Sequence, residues 1–326
     1  MRIVSVDGGT TNTRLTLVED GTVLSTVKIK IGAGEQSGNA AENPYWTPLR
    51  EGLHALLTQQ RLTITDVDAM LYSGMIGSET GLYTVPHLSA PANAKRVADA
   101  LVAVSIPQIA DLPMLFVPGV RTEGAVSDID IMRGEETELF GICHAIGETN
   151  FVAVMPGSHT KIVRMEQNGT IAAFRTAMTG ELIRATAEHT ILRHALCGVF
   201  PRQLDLVYLE KGFAFCNAHG INQALFEVRI LQKFAEQTPE QLYAFLCGVC
   251  LQGDIRPILE TAGNAPIYVG GSNPFRTAYT HLLRQHGGVQ VYELSDDLAE
   301  HAAAYGAQLL AELHRGRECI KASRSS

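Results

Sequence analysis

The chain has 326 residues, of which 46% are hydrophobic and 18% charged, so it can bury a sizeable core. At roughly 100–200 residues per domain, this length predicts about two domains. The formal net charge is −8, from 26 basic and 34 acidic side chains. This balance argues against a general binder of nucleic acid or anionic membranes, because such proteins present basic surfaces. Thirty glycines beside thirteen prolines indicate many tight turns between regular elements.

The N-terminal residues and the cysteines bear on the compartment. Asp7 interrupts the first apolar stretch, so no signal peptide is predicted, and no run of about 20 apolar residues predicts a membrane span. Six scattered cysteines favour a reduced cytoplasm over a disulfide scaffold. Cys247 and Cys250 form a CxxC pair, but apolar residues at helical spacing surround them and no second pair completes a zinc site. We therefore expect a cytoplasmic protein in which this pair lies on a buried helix.

The N-terminal half is predicted to begin with three strands joined by tight turns, followed by a polar, glycine-rich loop from Ile31 to Asn39. Apolar, β-branched runs mark the strands, and apolar residues at helical spacing mark the helices. The predicted strands are residues 2–6, 14–19, 23–30, 67–72 and 114–117. The predicted helices are residues 44–60 and 93–104.

The pattern begins again near residue 150, with a buried strand, a turn and a hairpin. The predicted strands are residues 151–155, 161–166, 170–176 and 266–270, together with a short strand VQVYE. The predicted helices are residues 180–194, 205–216, 221–234, 239–260 and 296–313. Both halves thus contain an apolar strand, a turn rich in glycine or proline and hydroxyls, antiparallel strands and helices. This repetition predicts two similar α/β domains, residues 1–148 and 149–326, with a ligand cleft between them and the final helix near their interface.

The first glycine turn follows the first strand and reads DGGTTNTR. Glycines let the backbone turn sharply and approach a phosphate, while N–H groups and hydroxyls supply donors. A carboxylate at the strand end can hold Mg²⁺ through water. We predict a phosphate-binding loop here, with a plain hairpin turn as the alternative. Its predicted nucleotide-binding residues are Asp7, which is also the predicted metal ligand, Gly8, Gly9, Thr10, Thr11 and Asn12.

Two further turns follow buried strands in the C-terminal half and read PGSHTK and VGGSN. The second of these precedes a helix, whose N-terminus suits adenosine or phosphates. Neither turn matches a P-loop or a dinucleotide fingerprint. The alternatives are a hairpin corner with a structural His159 and a surface Lys161, and a helix cap formed by Ser272 or Asn273. The predicted nucleotide-binding residues are Pro156, Gly157, Ser158, His159, Thr160, Lys161, Gly270, Gly271 and Ser272.

The three turns, in this order and spacing, resemble the two phosphate motifs and the adenosine motif of the sugar kinase, Hsp70 and actin ATPase superfamily. Within it, the chain is most similar to the 2-dehydro-3-deoxygalactonokinases. One departure is Gly8, where that family usually has Trp. The segments that carry the resemblance are SGMIGSETG (73–81), VPGVRT (117–122), DIMRGEETELFG (130–141), MPGSHTKIV (155–163) and TGEL (179–182).

The resemblance implies two ribonuclease H-like domains with an interdomain cleft. It also implies transfer of the ATP γ-phosphoryl group to the 6-hydroxyl of 2-dehydro-3-deoxy-D-galactonate in galactonate degradation, with ATP and Mg²⁺ as cofactors. The expected partners are the sugar acid and ATP, without nucleic acid or membrane, and a homo-oligomer is left open. The alternatives are a kinase of the same superfamily for another sugar or sugar acid, and a non-catalytic paralogue that binds a sugar acid.

The acceptor hydroxyl requires a base for its proton, and the substrate carboxylate requires a cationic partner. Phosphoryl transfer needs a carboxylate to take the hydroxyl proton. In hexokinase-like relatives an Asp followed by Thr occupies the place of Glu136-Thr137, so Glu136 is preferred as the base, Asp130 is second and Glu135 third. The alternative is that Glu135 and Glu136 merely suit the dipole at a helix start. Because arginine pairs well with carboxylates and turns offer donors, the predicted substrate-binding residues are Arg14, Ser73, Gly74, Met75, Ile76, Gly77, Ser78 and Arg133.

Overall fold

The computed structural model describes residues 1–33 and 43–324, so the predicted loop at Ile31 to Asn39 lies largely outside the described residues. The chain divides into two units. The first contains Met1–Thr149, Glu166–Ala173 and the chain from Glu300 on, and the second contains Asn150–Met165 and Phe174–Ala299. This division differs from the predicted domains in two segments, because 166–173 and the chain from Glu300 on belong to the first unit.

The first unit is built on a six-stranded sheet of order β3-β2-β1-β4-β7-β6. Strands β1, β4 and β7 are parallel neighbours, whereas the β1–β2, β2–β3 and β6–β7 pairs are antiparallel. All six residues of β4 are buried, as expected for a strand covered on both faces. The strands are β1 (Arg2–Gly8), β2 (Thr13–Glu19), β3 (Thr22–Ile29), β4 (Ala69–Gly74), β6 (Val102–Val104) and β7 (Met114–Phe116).

The described part of this unit before Thr149 also contains three α-helices and a small sheet. The helices are α1 (Trp46–Gln59), α2 (Ala94–Asp99) and α3 (Glu135–Ile146), and the small sheet contains β5 (Leu88–Ser89), β8 (Val120–Arg121) and β9 (Ile131–Met132). Helix α1 is amphipathic, and its buried leucines pack in the same core as residues of β1, β2 and β4.

The predicted helix at 93–104 is wrong in its second half. Helix α2 ends at Asp99, and β6 follows at Val102–Val104 and pairs antiparallel with β7. Val102 and Val104 are β-branched and therefore suit a strand. Pairing with β7 decided between helix and strand for these residues. The small β5-β8-β9 sheet was not predicted, because its strands have only two residues each.

The second unit is built on a five-stranded sheet of order β12-β11-β10-β13-β14. Strands β10, β13 and β14 are parallel neighbours, and β10 and β11 are antiparallel. This topology repeats the β2-β1-β4 arrangement of the first unit, with a hairpin beside a parallel pair. The strands are β10 (Phe151–Met155), β11 (Thr160–Glu166), β12 (Thr170–Ala177), β13 (Ile267–Val269) and β14 (Val291–Glu293).

Helix α8 (Pro239–Ala262) forms the centre of the helical layer in this unit. Thr238 caps its first turn in a capping box with Gln241. Cys247 and Cys250 are buried in it as free thiols, which confirms the expected buried helix. Among the described residues, α8 alone has the length and apolarity of a membrane span, but 72% of its most apolar window is buried in the unit. The other helices are α4 (Thr179–His189), α5 (Arg193–Leu196), α6 (Leu206–His219), α7 (Ile221–Phe234), α9 (Phe275–His286) and α10 (Asp296–Arg324), the last continuing into the first unit.

Candidate active site

Three polar residues lie side by side where β1 and β4 end and β2 begins. Asp7 is in register with Arg14 of β2 on one side and Ser73 of β4 on the other. Residues in register point to the same face of a sheet, so these side chains project together. Burial raises the pKa of Asp7, and the Arg14 guanidinium opposes that rise. The structure therefore brings the predicted metal ligand next to two predicted substrate-binding residues.

Glycines let the start of α3 approach these strand ends closely. A Cβ on Gly74 would lie 2.5 Å from the Gly8 carbonyl oxygen, and a Cβ on Gly134 would lie 3.0 Å from the Gly74 Cα. Gly74 and Gly134 adopt φ values of +81° and +110°, which other residues rarely adopt. The MRGEET segment is thereby held against the ends of β1 and β4.

Gly8 has a packing reason at the position where the resembling family usually has Trp. A Cβ at residue 8 would lie 2.6 Å from the Ile76 Cβ and 3.0 Å from the Ile76 nitrogen. Ile76 is fully buried and belongs to the core of the first unit. In this chain, Ile76 therefore fills the space that a Cβ atom at residue 8 would need.

The carboxylates of α3 are the most strongly perturbed acids of the site. Glu136 is fully buried, and its oxygens accept hydrogen bonds from Gly134 N at 3.0 and 2.8 Å and from Thr137 Oγ1 at 3.2 Å. Burial, followed by the charge of Glu135, raises the pKa of Glu136 to about 7. Burial, followed by the charge of Asp7, raises the pKa of Glu138 to about 8. Glu138 was not among the predicted site residues, although the acidic run EETE was a signal that could have included it.

Asp130 is not part of α3. It precedes β9 in the β8–β9 connection, where its carboxylate accepts a hydrogen bond from Ile131 N at 2.7 Å and its backbone N–H donates to Thr122 Oγ1 at 2.6 Å. Helix α3 begins only at Glu135, since Gly134 is not helical. The segment 130–137, predicted to start a helix as one piece, is therefore divided between a small sheet and a helix.

Arg133 is held beside α3 by partners that sequence reasoning missed. Its Nη2 donates to the Val85 carbonyl at 2.7 Å and lies 3.3 Å from both ring nitrogens of His87. Burial, followed by the charges of Arg133 and Arg121, lowers the pKa of His87 to about 4, so the ring is neutral near pH 7. A lone histidine outside any motif carried no signal of this role.

Two buried polar atoms of the site lack a hydrogen-bond partner among the described residues. They are Arg133 Nη1 and Ser73 Oγ. A Cβ on Gly77 would lie only 3.1 Å from Arg133 Nη1, so the absence of a side chain there leaves room beside the guanidinium. Buried polar atoms are almost always paired, and a pair of unpaired ones indicates a place that a ligand completes.

The remaining residues of the 73–78 turn have mixed environments. Met75–Gly77 form a single 3₁₀ turn, in which Ile76 is buried and Met75 is partly exposed. The Ser78 hydroxyl donates to the Met75 carbonyl at 2.6 Å, within the turn itself.

The first glycine turn exposes its polar side chains. Thr10, Thr11 and Asn12 are exposed, while Gly9 N donates to the Asn12 carbonyl at 2.9 Å and closes the turn. A Cβ on Gly32 would lie 2.4 Å from atoms of the Thr10–Thr11 peptide, so the backbone packs closely beneath the exposed hydroxyls.

In the second unit, the structure brings the other two predicted turns together. A Cβ on Gly180 would lie 2.0 Å from the Gly157 carbonyl oxygen, and a Cβ on Gly271 would lie 2.4 Å from the Pro156 carbonyl oxygen. The start of α4 and the VGGSN turn thus contact the PGSHTK turn. Its central residues, 157–159, are exposed.

The polar side chains around these turns have protein partners. His159 Nε2 lies 2.7 Å from Glu181 Oε2, and the nearly buried Lys161 donates to Thr176 Oγ1 at 2.8 Å. Helix α9 has Pro274 at its N-cap and no side-chain cap bond, so the alternative of a Ser272 or Asn273 cap is not observed.

Comparison with known proteins extends over most of the chain. The model of a family described as 2-keto-3-deoxy-galactonokinase matches residues 7–306. The "Probable 2-dehydro-3-deoxygalactonokinase DgoK1" of Rhizobium meliloti (strain 1021) is 33% identical over 293 residues, which cover 87% of this chain and 89% of that one. The 2-dehydro-3-deoxygalactonokinase of Escherichia coli (strain K12) is 30% identical over 263 residues, which cover 78% and 79% of the two chains.

Two solved structures share the fold. One, from Sinorhizobium meliloti and provisionally named a 2-dehydro-3-deoxygalactonokinase, superposes with a TM-score of 0.75 at 24% identity, covering 95% of this chain and 98% of that one. The other, an activator of 2-hydroxyisocaproyl-CoA dehydratase from Clostridium difficile with bound ADPNP, has a TM-score of 0.55 at 12% identity, covering 98% and 97%. These similarities confirm the predicted α/β fold. With a family model and two relatives of at least 30% identity matching most of its length, the chain belongs to the 2-keto-3-deoxy-galactonokinase family.

Proposed function

We propose that the protein transfers the γ-phosphoryl group of ATP to the 6-hydroxyl of 2-dehydro-3-deoxy-D-galactonate, giving 2-dehydro-3-deoxy-6-phosphogalactonate and ADP. One observation carries this proposal beyond family membership: Arg133 Nη1 and Ser73 Oγ are buried and unpaired beside the acidic start of α3. A guanidinium suits the carboxylate of a sugar acid, and a hydroxyl suits its oxygens. The acidic helix start supplies bases for the acceptor hydroxyl.

We assign the substrate carboxylate to Arg133 and orientation of that arginine to His87 and Val85. The neutral ring of His87 and the Val85 carbonyl hold one nitrogen of the guanidinium, Nη2, and leave Nη1 for the ligand. We assign Arg14 the role of a positive charge beside the Asp7 carboxylate, because the two residues are in register. The Nη1 atom of Arg14 also donates a hydrogen bond to the Glu300 carbonyl at 2.6 Å. The backbone of the 73–78 turn is assigned to the sugar hydroxyls.

We assign the proton acceptor to the first turn of α3, with Glu136 as the first candidate. A pKa of about 7 matches a base that works near neutral pH. Glu135 is the second candidate, since it is more exposed than Glu136 and its carboxylate accepts a hydrogen bond from Arg133 N at 3.0 Å. Asp130 is the third, because it lies in the β8–β9 connection and outside α3.

We assign Mg²⁺ to Asp7, and we add Glu138 as its neighbour. Among the described residues, no group of three or more His, Cys, Asp or Glu side chains is arranged to hold a metal ion. Two nearby carboxylates nevertheless fit Mg²⁺, which keeps several waters and binds one or two carboxylates together with substrate phosphates. The charge of Asp7 raises the pKa of Glu138, and a divalent cation would relieve this repulsion. When bound, Mg²⁺ supplies positive charge to the phosphates during transfer.

We assign ATP binding to the three glycine turns. The exposed Thr10, Thr11 and Asn12 of the first turn and the exposed residues 157–159 of the second offer hydroxyl, amide and backbone donors. Gly270, Gly271 and Ser272 are assigned to the adenosine side of the nucleotide. The enzyme is proposed to be cytoplasmic and to act on small molecules, without nucleic acid or membrane as partners.

A coupled assay of ADP release tests this function. The panel contains 2-dehydro-3-deoxy-D-galactonate, its gluco epimer, galactonate, glucose and glycerol, with and without Mg²⁺. We expect Mg²⁺-dependent turnover with the galacto keto-deoxy acid and little with the neutral compounds, which lack a carboxylate for Arg133. Strong activity on glucose or glycerol with none on the keto-deoxy acids would establish a different sugar kinase. ADP binding without turnover on any compound would favour a non-catalytic paralogue.

A further inference from the structure

We propose that Asp254 is a positioning residue for the PGSHTK turn and that it acts through Tyr279 and Thr160. Asp254 lies in α8, outside every motif of the sequence, and only 8% of it is exposed. The inference rests on the proposed role of this turn in nucleotide binding. It concerns Asp254, Tyr279 and Thr179, which lie outside the predicted nucleotide-binding residues, and their link to the buried Thr160 of the turn.

A single carboxylate oxygen links two segments that border the turn. Asp254 Oδ2 accepts a hydrogen bond from Thr179 Oγ1 at 2.5 Å, at the start of α4, and a second from the Tyr279 hydroxyl. The Tyr279 hydroxyl also lies 3.0 Å from Thr160 Oγ1, at the end of the turn and the start of β11. All four residues are buried. The bonds therefore connect α8 and α9 to both β11 and α4.

The placement of this carboxylate argues for a specific purpose. On the buried side of α8, Asp254 lies among the apolar residues Leu251, Ile255 and Ile258, and burial raises the pKa of Asp254. A buried acid is costly unless it is hydrogen-bonded, and an apolar residue of similar size would fill a core as well. Hydrogen bonds to a carboxylate are stronger than bonds between neutral groups. The carboxylate is thus suited to hold two hydroxyl-bearing segments at fixed positions.

The hydrogen bonds of Thr160 and Thr179 fix the position of the PGSHTK turn. Gly180 and Gly271 allow close backbone contact with Gly157 and Pro156, but such contacts only exclude side chains. One further bond, from Glu181 N to the Ser158 carbonyl at 2.8 Å, joins the exposed part of the turn to α4, whose start Thr179 ties to Asp254. Thr160 and Thr179 therefore anchor the turn and the helix start that supports it to one oxygen atom. Since a displacement of 1 Å can strongly weaken phosphate contacts, the anchor is expected to set nucleotide affinity.

Tyr279→Phe is the decisive variant, and Tyr243→Phe is its matched control. Both remove one buried hydroxyl from the second unit, but Tyr243 contacts Phe200 and Cys247 instead of the turn. For Tyr279→Phe we expect the Kd of ADP, measured by calorimetry, and the KM of ATP to rise about fivefold to tenfold, as for a lost hydrogen bond of roughly that strength. The KM of the sugar acid should stay within about twofold of wild type, which is the split that a merely structural role would not produce.

Substitutions of Thr160 and Asp254 test the chain of bonds. Thr160→Ser keeps the hydroxyl and should bind ADP like wild type, whereas Thr160→Val should resemble Tyr279→Phe. Asp254→Asn still offers an oxygen to both hydroxyls but without charge, so its effect should be smaller than that of Asp254→Leu. If Asp254→Leu does not fold, Tyr279→Phe and the Thr160 pair decide the question.

The outcomes separate this inference from the proposed function. If Tyr279→Phe and Tyr243→Phe lower the Tm equally and both keep wild-type ADP affinity, the positioning role is overturned. ADP binding does not require the sugar acid, so the affinity test stands even if the proposed substrate proves wrong. If the wild-type protein binds neither ADP nor ATP, the nucleotide assignment itself fails, and the inference falls with it.

Discussion

Glycines allow close backbone contacts both at the acidic start of α3 in the first unit and at the PGSHTK turn in the second. The two regions differ in whether their polar groups have hydrogen-bond partners. At α3, Arg133 Nη1 and Ser73 Oγ are buried without partners, and burial and like charge raise the pKa values of Glu136 and Glu138. At the turn, the Thr160 hydroxyl is bonded and the backbone is packed from two sides.

This difference supports the proposal that the start of α3 performs the chemistry and that the PGSHTK turn holds the nucleotide. Unpaired donors and perturbed acids cost stability and persist where a ligand or a proton transfer uses them. A bonded and packed turn instead offers fixed backbone donors, which need no rearrangement when phosphate binds. We therefore expect substitutions at α3 to change turnover and substrate binding, and substitutions around the turn to change nucleotide affinity.

The largest expected effect is on turnover, from Glu136→Gln. Removing a general base typically costs 10²–10⁴-fold, so we expect kcat to fall about 1,000-fold while the Kd of ADP changes less than about twofold. The measurement is kcat in the coupled assay, together with calorimetry of ADP. Glu135→Gln is the matched variant, one residue away with the same change in charge. If Glu136→Gln keeps near-normal turnover and Glu135→Gln does not, the base is Glu135 and the preferred assignment is wrong.

The next effect is on sugar-acid binding, from Arg133→Lys. Lysine keeps the charge but cannot present the forked donors of a guanidinium, and a lost bond to a charged group is worth about 1.5–3 kcal/mol. We expect the KM of the keto-deoxy acid to rise roughly 10-fold to 100-fold with unchanged ADP affinity. The exposed Arg256, paired with Glu260 on α8, provides the control, and Arg256→Lys should leave the KM unchanged. An equal loss in ADP affinity would instead place Arg133 on the nucleotide.

A third effect, on stability, comes from Gly8. Because a Cβ there would lie 2.6 Å from the Ile76 Cβ, Gly8→Ala should lower the free energy of unfolding by about 1–3 kcal/mol, the usual cost of overpacking. Urea titration measures this change. Ile76→Ala alone leaves a cavity and is also destabilising. The double variant Gly8→Ala with Ile76→Ala should be more stable than the sum of the two losses predicts. Strict additivity would show that Ile76 is not what keeps residue 8 small.

Local sequence patterns predicted much of the fold and the positions of the turns. β1 is a mostly apolar run that ends in Asp7 and Gly8, and the apolar β10 ends at Met155 just before Pro156 and Gly157. In both places the strand signal and the turn signal lie within a few residues. The same local signals failed at 93–104, where pairing with β7 turned Val102–Val104 into a strand.

Side chains that join the site through contacts distant in sequence could not be predicted in this way. His87 reaches Arg133 across 46 residues, and Asp254 reaches Thr179 across 75, so neither has a motif neighbour to mark it. Glu138 could be seen as part of an acidic run, but the close contacts of Gly74 and Gly134 bring the start of α3 to the end of β1, where the charge of Asp7 raises the pKa of Glu138. The sequence shows where the glycines are, but it does not show which backbone atoms they contact.

The smallest effect, Glu138→Gln, concerns the pH dependence of stability. The pKa of Glu138 rises from 4.5 to about 8 on folding, so between these values the folded protein binds more protons than the unfolded chain, and its stability falls as pH rises. Glutamine does not titrate and escapes this loss. We expect the variant to match wild type at pH 4 and to gain about 2 kcal/mol in free energy of unfolding by pH 8.

Urea titrations at pH 4, 6 and 8 measure this gain, with the exposed Glu51→Gln of α1 as a control that should show little change at any pH. Adding Mg²⁺ with ADP should stabilise wild type more than Glu138→Gln, since a cation beside Asp7 would use the second carboxylate. A wild-type advantage that grows from pH 4 to pH 8 without ligand would mean that Glu138 is stabilised as the anion. In that case Glu138 would have stabilising partners, as the polar groups of the PGSHTK turn do. Only the unpaired atoms of Arg133 and Ser73 would then distinguish the two regions.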